Sequence, residues 1–162
     1  MSASAPAIYA PQMPASKLSM SARLLALAIA IGCGAVLVVA YQIHPDATGT
    51  GTHTAIGLAR CQFLYQANLP CPSCGMTTSF SHLAHGNVLA AVYVQPMGAA
   101  LGFAAAATFW IGSYMAVTGK PALRLMRWLP GRYLVIGAMA LAIAAWGWKI
   151  FLHLRGIDGW GA

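Results

Sequence analysis

The fold is decided by an uncharged apolar run at residues 24–41, LLALAIAIGCGAVLVVAY. A helix needs about 20 predominantly apolar residues to cross the hydrocarbon core of a bilayer. Two further stretches, at about 96–118 and 133–154, are also long and apolar enough. All three are rich in alanine and glycine, whose small side chains let helix backbones approach one another closely. The sequence therefore predicts an all-α membrane protein with three transmembrane helices.

The composition of this 162-residue chain indicates that a membrane is its solvent. Hydrophobic residues make up 59% of it, charged residues only 7%, and its mean hydropathy is +0.69. Soluble domains usually carry about a quarter charged residues. The net charge of +7 would suggest nucleic acid in a soluble protein. Here the basic residues flank the apolar runs, so we expect a lipid bilayer and no nucleic acid as partner.

One transmembrane domain is expected at residues 23–155, between a disordered tail at 1–22 and a short C-terminal tail at 156–162. The first part of the N-terminal tail consists mainly of Ser, Ala, Pro and Met without any periodicity. Lys17 and Arg23, followed by an apolar run, are also typical of a signal peptide. The length of that run and of the region before it favours an uncleaved anchor.

The distribution of Lys and Arg predicts the orientation. Basic residues stand before the first span and in the link between the second and third spans. They are Lys17, Arg23, Lys120, Arg124, Arg127 and Arg132. The long link at 42–95 contains only Arg60. The positive-inside rule then places the N-terminus in the cytoplasm and puts the long link and the C-terminus outside. Lys149, near the end of the third span, is expected to extend its ammonium outward to the interface.

The long link is predicted to hold short interfacial helices, none of them long enough to cross the membrane. One helix is expected over residues 55–67. A second follows the cysteine motif, capped by Thr77 or Thr78 and ended by Gly86. A third begins at Asn87.

The chemistry of the chain is concentrated in the sequence CPSCG at residues 71–75. Cys61 stands ten residues before it, and His82 and His85 follow. Thiols and imidazoles are common ligands of soft and borderline metals, and paired thiols also carry out redox exchange. The chain has only two acidic residues, so carboxylate pairs for general acid–base catalysis are absent. We therefore expect no catalytic residue of that kind and a role that is more typical of a non-enzyme.

A metal site is the first of three interpretations of this cluster. Cys61, Cys71 and Cys74 would supply three thiolates. His82 and His85, three residues apart on one helix face, or alternatively His53, would supply the further ligand of a four-coordinate site. Zinc is the leading candidate for such a donor set.

The other two interpretations need no metal. Cys71 and Cys74 could exchange with a disulfide, because a thiol at a helix N-terminus has a lowered pKa. In an oxidising compartment, Cys61 could instead pair with Cys71 or Cys74 and staple the link as a structural disulfide. The residues alone leave all three interpretations open.

These motifs resemble a bacterial membrane-protein family known as domain of unknown function 2752. The resemblance covers about residues 51–98: a cysteine, a gap of about ten, CPSCGMT, a glycine and a proline before the next span. The positions that support the motif are Pro72, Gly75, Thr77, Gly86 and Pro96. This chain has Thr78 where many members have Arg, and Gln95 where they have Asn. The resemblance implies a small multi-span protein of the bacterial inner membrane with a cysteine-bearing outer segment, and implies no activity.

We therefore expect a small inner-membrane protein whose outward-facing Cys/His cluster is a metal-binding or redox-sensitive structural site. Helices rich in small residues leave surfaces for a larger membrane complex or a second copy of the chain. One alternative is a membrane thiol–disulfide oxidoreductase that uses Cys71 and Cys74. Another is a structural scaffold with a disulfide-stapled loop.

Overall fold

The computed structural model describes residues 17–59, 61–122 and 131–160. Within these ranges the regular structure is entirely helical. Three helices are long: α1 (Met20–Gln42), α5 (Pro96–Thr118) and α6 (Gly131–Arg155). Three are short: α2 (Gln62–Ala67), α3 (Met76–Ala84) and α4 (Val88–Val94). A 3₁₀ helix, Thr52–Ile56, precedes α2.

The three long helices are long and apolar enough to cross a membrane. They contain the predicted spans, so the prediction of an all-α fold with three transmembrane helices is confirmed. By length and composition the chain is a multi-pass membrane protein. Helix α1 begins at Met20, slightly before the predicted end of the N-terminal tail at residue 22. Residues 1–16 lie outside the described ranges, as do Arg60, Arg124 and Arg127.

Helices α1 and α5 pack closely along their small residues. A methyl group on Gly112 of α5 would lie 3.0 Å from the carbonyl oxygen of Ala26 and 3.1 Å from the Cβ of Ala30, both in α1. Near the start of α1, Arg23 donates two hydrogen bonds to carbonyls at the C-terminal end of α5. These carbonyls have no partner within their own helix. The two helices are therefore antiparallel neighbours, and residues 43–95 (the connecting segment) join them at the opposite end.

Helix α6 is joined to the connecting segment near its own C-terminus. The indole nitrogens of Trp146 and Trp148 donate to backbone carbonyls of that segment, at 3.0 and 2.7 Å. Lys149 is fully buried, and its ammonium lies 3.2 Å from the Asp158 carboxylate. The prediction that Lys149 extends outward is wrong, because the chain after α6 turns back and brings Asp158 to it. A buried charge requires such a partner.

The first predicted helix of the connecting segment is interrupted. The expected helix at 55–67 is instead the 3₁₀ helix and α2, separated by several residues. Gly57 ends the 3₁₀ helix in the left-handed conformation, with φ of 79°. Helix α2 begins only at Gln62. Left-handed backbone cannot continue a right-handed helix, so this glycine turns the chain before Cys61.

The second predicted helix has a different cap from the one expected. Helix α3 begins at Met76, and its N-cap is Gly75, with no side-chain cap. Thr78 is buried one turn further on, where its hydroxyl lies 2.8 Å from that of Thr52. The side chain of Asn87 does cap α4, accepting a hydrogen bond from the Ala90 amide.

Candidate metal centre

The CPSCG sequence forms a tight turn that leads into α3. The Cys74 amide donates to the Cys71 carbonyl at 3.0 Å, and the Met76 amide donates to the Ser73 carbonyl at 3.1 Å. This turn brings the Cys71 and Cys74 sulfurs to 3.1 Å from each other. Gly75 then adopts φ of 85°, which is costly for a residue with a Cβ, and starts the helix. The two thiols therefore lie at the N-terminus of α3.

Cys61 completes a cluster of three sulfurs. It lies directly before α2, whose last residue is followed by Asn68 in the left-handed conformation, so that the chain returns toward the turn. The sulfurs of Cys61, Cys71 and Cys74 all lie within 4.8 Å of one another. Cys74 is buried, with 4% of its surface exposed, and the other two are half-buried. The three cysteines that the sequence selected thus form a cluster that could hold a metal ion.

Two side chains outside the motif donate hydrogen bonds to the backbone of the cysteine turn. The Gln95 amide nitrogen donates to the Pro72 carbonyl at 2.8 Å, and the Trp146 indole donates to the Pro70 carbonyl at 3.0 Å. Gln95 is fully buried, and its side-chain oxygen has no hydrogen-bond partner among the described residues. Because these bonds fix the backbone on both sides of Cys71, they position its sulfur.

Gly75 is also required by crowding. A Cβ at this position would lie 2.8 Å from the Gly49 carbonyl oxygen and 3.4 Å from the Cε of Lys149. The Lys149 ammonium in turn lies 3.4 Å from that same Gly49 carbonyl. The buried Lys149 side chain of α6 therefore lies next to the cysteine turn.

The two thiols of the turn differ in acidity. Burial raises the pKa of the Cys71 thiol, but hydrogen bonds from Ser73, Cys74 and Cys61 stabilise its thiolate and bring the pKa down to about 7. Burial raises the pKa of Cys74 to about 12, and its hydrogen bonds with the Cys71 and Cys61 thiols act in the same direction. Cys71 is thus the more acidic thiol of the pair and loses its proton first.

The remaining polar residues of α3 serve structure. Ser79 donates to the Ala91 carbonyl of α4 at 2.8 Å and to the Gln95 carbonyl, directly before α5, at 3.1 Å. Ser81 donates to the Ile43 carbonyl at the end of α1. Thr78, Ser79 and Ser81 are all fully buried. Their hydroxyls satisfy buried backbone and side-chain groups, and so fasten α3 to its neighbours.

The predicted histidine ligands are not members of the group that the three sulfurs form. The His85 ring stacks on Tyr41, with centroids 5.0 Å apart, and its centroid lies 5.8 Å from that of His44. Burial, followed by the charge of His85, lowers the pKa of His82. Among the described residues, the group of metal-ligand atoms that lie together consists of the three sulfurs alone. A metal-binding role for His82 and His85 stays a prediction.

Two cavities meet at Cys61. One, of about 780 Å³, is mostly apolar and is lined by side chains from the C-terminal half of α1 together with the three cysteines, Met76 and Phe80. The other, of about 740 Å³, is more polar and contains threonines and Asp46. His53 and Cys61 line both. The apolar cavity therefore borders all three cysteines, and the more polar cavity borders Cys61.

Sequence reasoning missed the residues that support the site. Lys149 carried a signal, since a charged residue inside an apolar span usually has a partner in the protein interior. Asp158, one of only two acids in the chain, was that partner. Gln95 and Trp146 gave no such signal, because their hydrogen bonds to Pro72 and Pro70 depend on the folded backbone.

Comparisons with known proteins bear on the cysteine segment alone. No curated protein and no solved structure matches this chain. A family model does match residues 61–110, which include all three clustered cysteines and the start of α5. That family is described as "Protein of unknown function (DUF2752)". The match confirms that the cysteine segment of this chain is similar to that family.

Proposed function

We propose that this chain is a small inner-membrane protein that binds one thiophilic metal ion through Cys61, Cys71 and Cys74. The observation that carries the proposal is the meeting of three sulfurs within 4.8 Å from two separate parts of the chain. Thiolates are the preferred donors of zinc and other soft ions. Two sulfurs bound to one tetrahedral zinc are about 3.8 Å apart, because each Zn–S bond is about 2.3 Å. The cluster needs only small side-chain movements to reach that geometry.

Metal stoichiometry of the detergent-purified full chain tests the proposal. We expect one ion per chain in the wild type and a large loss in Cys61→Ser, Cys71→Ser and Cys74→Ser. Cys33→Ala is the matched control, because Cys33 lies in α1 and outside the cluster. Metal content that falls equally in Cys33→Ala, or that survives all three serine variants, would contradict the proposal.

The proposed orientation places the cluster outside the cytoplasm. Lys17 and Arg23 lie at the start of α1, and Lys120 and Arg132 lie at the ends of the second link, whereas the connecting segment contains only Arg60. The positive-inside rule supports this arrangement. A membrane-impermeant maleimide applied to intact spheroplasts of the Cys33→Ala variant should label the connecting segment. If the maleimide labelled these cysteines only after the membranes were permeabilised, the connecting segment would lie in the cytoplasm and the proposed orientation would be wrong.

Thiol–disulfide exchange is the second candidate, favoured by the 3.1 Å approach of the two turn sulfurs and their different acidities. In this reaction the Cys71 thiolate attacks a substrate disulfide and releases one substrate thiolate. Cys74, giving up its proton, then attacks the mixed disulfide at Cys71. The products are a Cys71–Cys74 disulfide and a reduced substrate. A redox titration with glutathione in which the thiol pair never forms a disulfide would exclude this function.

We also propose a partner, either a larger membrane complex or a second copy of the chain. Helix α6 supports this, because large apolar side chains are exposed along most of its length. Lipid covers the same surface equally well. Cross-linking in native membranes, followed by mass determination, tests whether a protein partner or lipid covers the apolar surface of α6.

A further inference from the structure

The donor set of the cluster distinguishes between metals. Structural zinc sites are almost always four-coordinate and commonly combine thiolates with imidazoles. In this chain the group of adjacent ligand atoms, among the described residues, is three sulfurs without an imidazole. His85 is engaged with Tyr41 and with the Ser81 carbonyl. Three soft donors without a nitrogen suit a monovalent d¹⁰ ion, which accepts low coordination numbers and prefers sulfur.

A thioether side chain also lines the apolar cavity. Met76 follows Gly75 directly and lines the apolar cavity together with Cys61, Cys71 and Cys74. A thioether is uncharged and polarisable, and with thiolates it selects Cu(I). The described lining of this cavity contains no carboxylate, the donor that harder cations prefer.

We propose that the site selects Cu(I) over Zn(II), with Cys61, Cys71 and Cys74 as thiolate ligands and Met76 as the thioether donor. This inference rests on the proposed metal-binding function and names its ion. Side chains of α1 give this cavity a mostly apolar lining beside the sulfurs. The more polar cavity reaches the cluster at Cys61.

The competing assignment is a zinc site in which His53 moves in as the fourth ligand, since His53 also lines the cavity. The Cu(I) and zinc assignments predict opposite effects of substitutions at Met76 and His53. Under the Cu(I) assignment, Met76→Leu weakens binding and His53→Ala does not. Under the zinc assignment, the reverse holds. Met97→Leu is the matched control for methionine loss, because Met97 is similarly half-buried and does not line the described wall of the cavity.

The experiment uses the reduced full chain in detergent without oxygen. Cu(I) is supplied in competition with the chelator bathocuproine disulfonate, and Zn(II) in separate samples with a zinc indicator. We expect one Cu(I) per wild-type chain and a sulfur-only coordination shell by X-ray absorption. Met76→Leu should lower Cu(I) affinity by about 10- to 100-fold. His53→Ala and Met97→Leu should leave it unchanged. Circular dichroism confirms that each variant is folded.

Three outcomes would overturn the inference, and they are distinguishable. Stoichiometric Zn(II) that is weakened by His53→Ala would keep the metal site and replace Cu(I) with zinc. Tight Cu(I) that is insensitive to Met76→Leu would remove Met76 from the site. Failure of the wild type to bind either ion at one per chain would defeat the proposed function itself.

Discussion

Helices α1 and α5 meet through glycine and alanine, whereas the connecting segment is fixed by buried hydroxyls, an amide side chain and an ion pair. In the helix pair, close approach needs only small side chains, and a backbone carbonyl lies directly opposite Gly112. In the connecting segment, Thr52, Thr78, Ser79 and Gln95 are all buried, and each makes a specific hydrogen bond. The first arrangement follows from composition. The second depends on individual donors and acceptors, and it is the one that positions the sulfurs.

The largest expected effect is on the ion pair between Lys149 of α6 and Asp158, which follows α6 in the chain. Asp158→Asn leaves the Lys149 ammonium buried without a counter-charge, and His153 loses the carboxylate 2.7 Å from its ring nitrogen. We expect the free energy of unfolding to fall by about 3–5 kcal/mol, measured by reversible denaturation in detergent. The double variant Lys149→Met with Asp158→Asn should recover most of this loss, because it removes both charges.

Asp46→Asn is the matched control, since Asp46 is the only other acid and its carboxylate bonds to Thr48 within its own loop. An Asp158→Asn effect no larger than that of Asp46→Asn would show that the Lys149–Asp158 ion pair does not stabilise the fold.

The next effect tests the cysteine turn. Gly75→Ala places a Cβ in the left-handed region and 2.8 Å from the Gly49 carbonyl, so we expect a loss of about 2–4 kcal/mol. Gly86→Ala has a similar φ of 80° with nothing within 4 Å of its Cβ, and should cost only about 1–2 kcal/mol. Comparing the thermal unfolding of the two variants separates the cost of crowding at Gly75 from the cost of the left-handed backbone that both share. Equal losses would mean that Gly49 and Lys149 do not press against the turn.

A smaller effect is expected between the long helices. Gly112→Val overpacks the α1–α5 contact, where a methyl group would already lie 3.0 Å from the Ala26 carbonyl, and should cost about 1–3 kcal/mol. Gly137→Val in α6 meets nothing within 4 Å and should be close to neutral. Denaturation in detergent compares the two variants. If Gly137→Val proved as costly, α6 would have a packed partner on that face.

The smallest expected effect is on the rate at which Cys71 is alkylated, and it involves no change in stability. Because the pKa of Cys71 is lowered to about 7, its thiolate fraction is half at that pH and falls about tenfold for each further unit of acidity. Iodoacetamide labelling of the metal-free, reduced Cys33→Ala protein should therefore show a midpoint near pH 7, with Cys71 as the modified residue. The same reaction in denaturant should have a midpoint near the ordinary value of 9.0. Identical midpoints in the folded and the denatured protein would show that the fold does not lower the pKa of Cys71. The difference in acidity that favours the exchange function would then be absent.

The transmembrane spans and the cysteine cluster could be predicted from the sequence, because each depends on local physical properties of the chain. An apolar run of about 20 residues has few alternatives to a membrane helix, and a CxxC turn places its two sulfurs close together by local geometry. Cys61 was included because it is the other cysteine of the long link and lies only ten residues before the turn. Lys149 and Gln95 could not be assigned in this way. Their partners, Asp158 and the Pro72 carbonyl, are brought to them only by the path of the folded chain.

The central claim is that Cys61 acts together with the two turn cysteines at one metal ion. Differential alkylation of the reduced Cys33→Ala protein, with and without one equivalent of Cd(II), measures this directly by mass spectrometry, because Cd(II) binds thiolate sites whichever ion is native. We expect one equivalent to protect Cys61, Cys71 and Cys74 together. Protection of Cys71 and Cys74 with Cys61 still fully reactive would contradict the three-sulfur site.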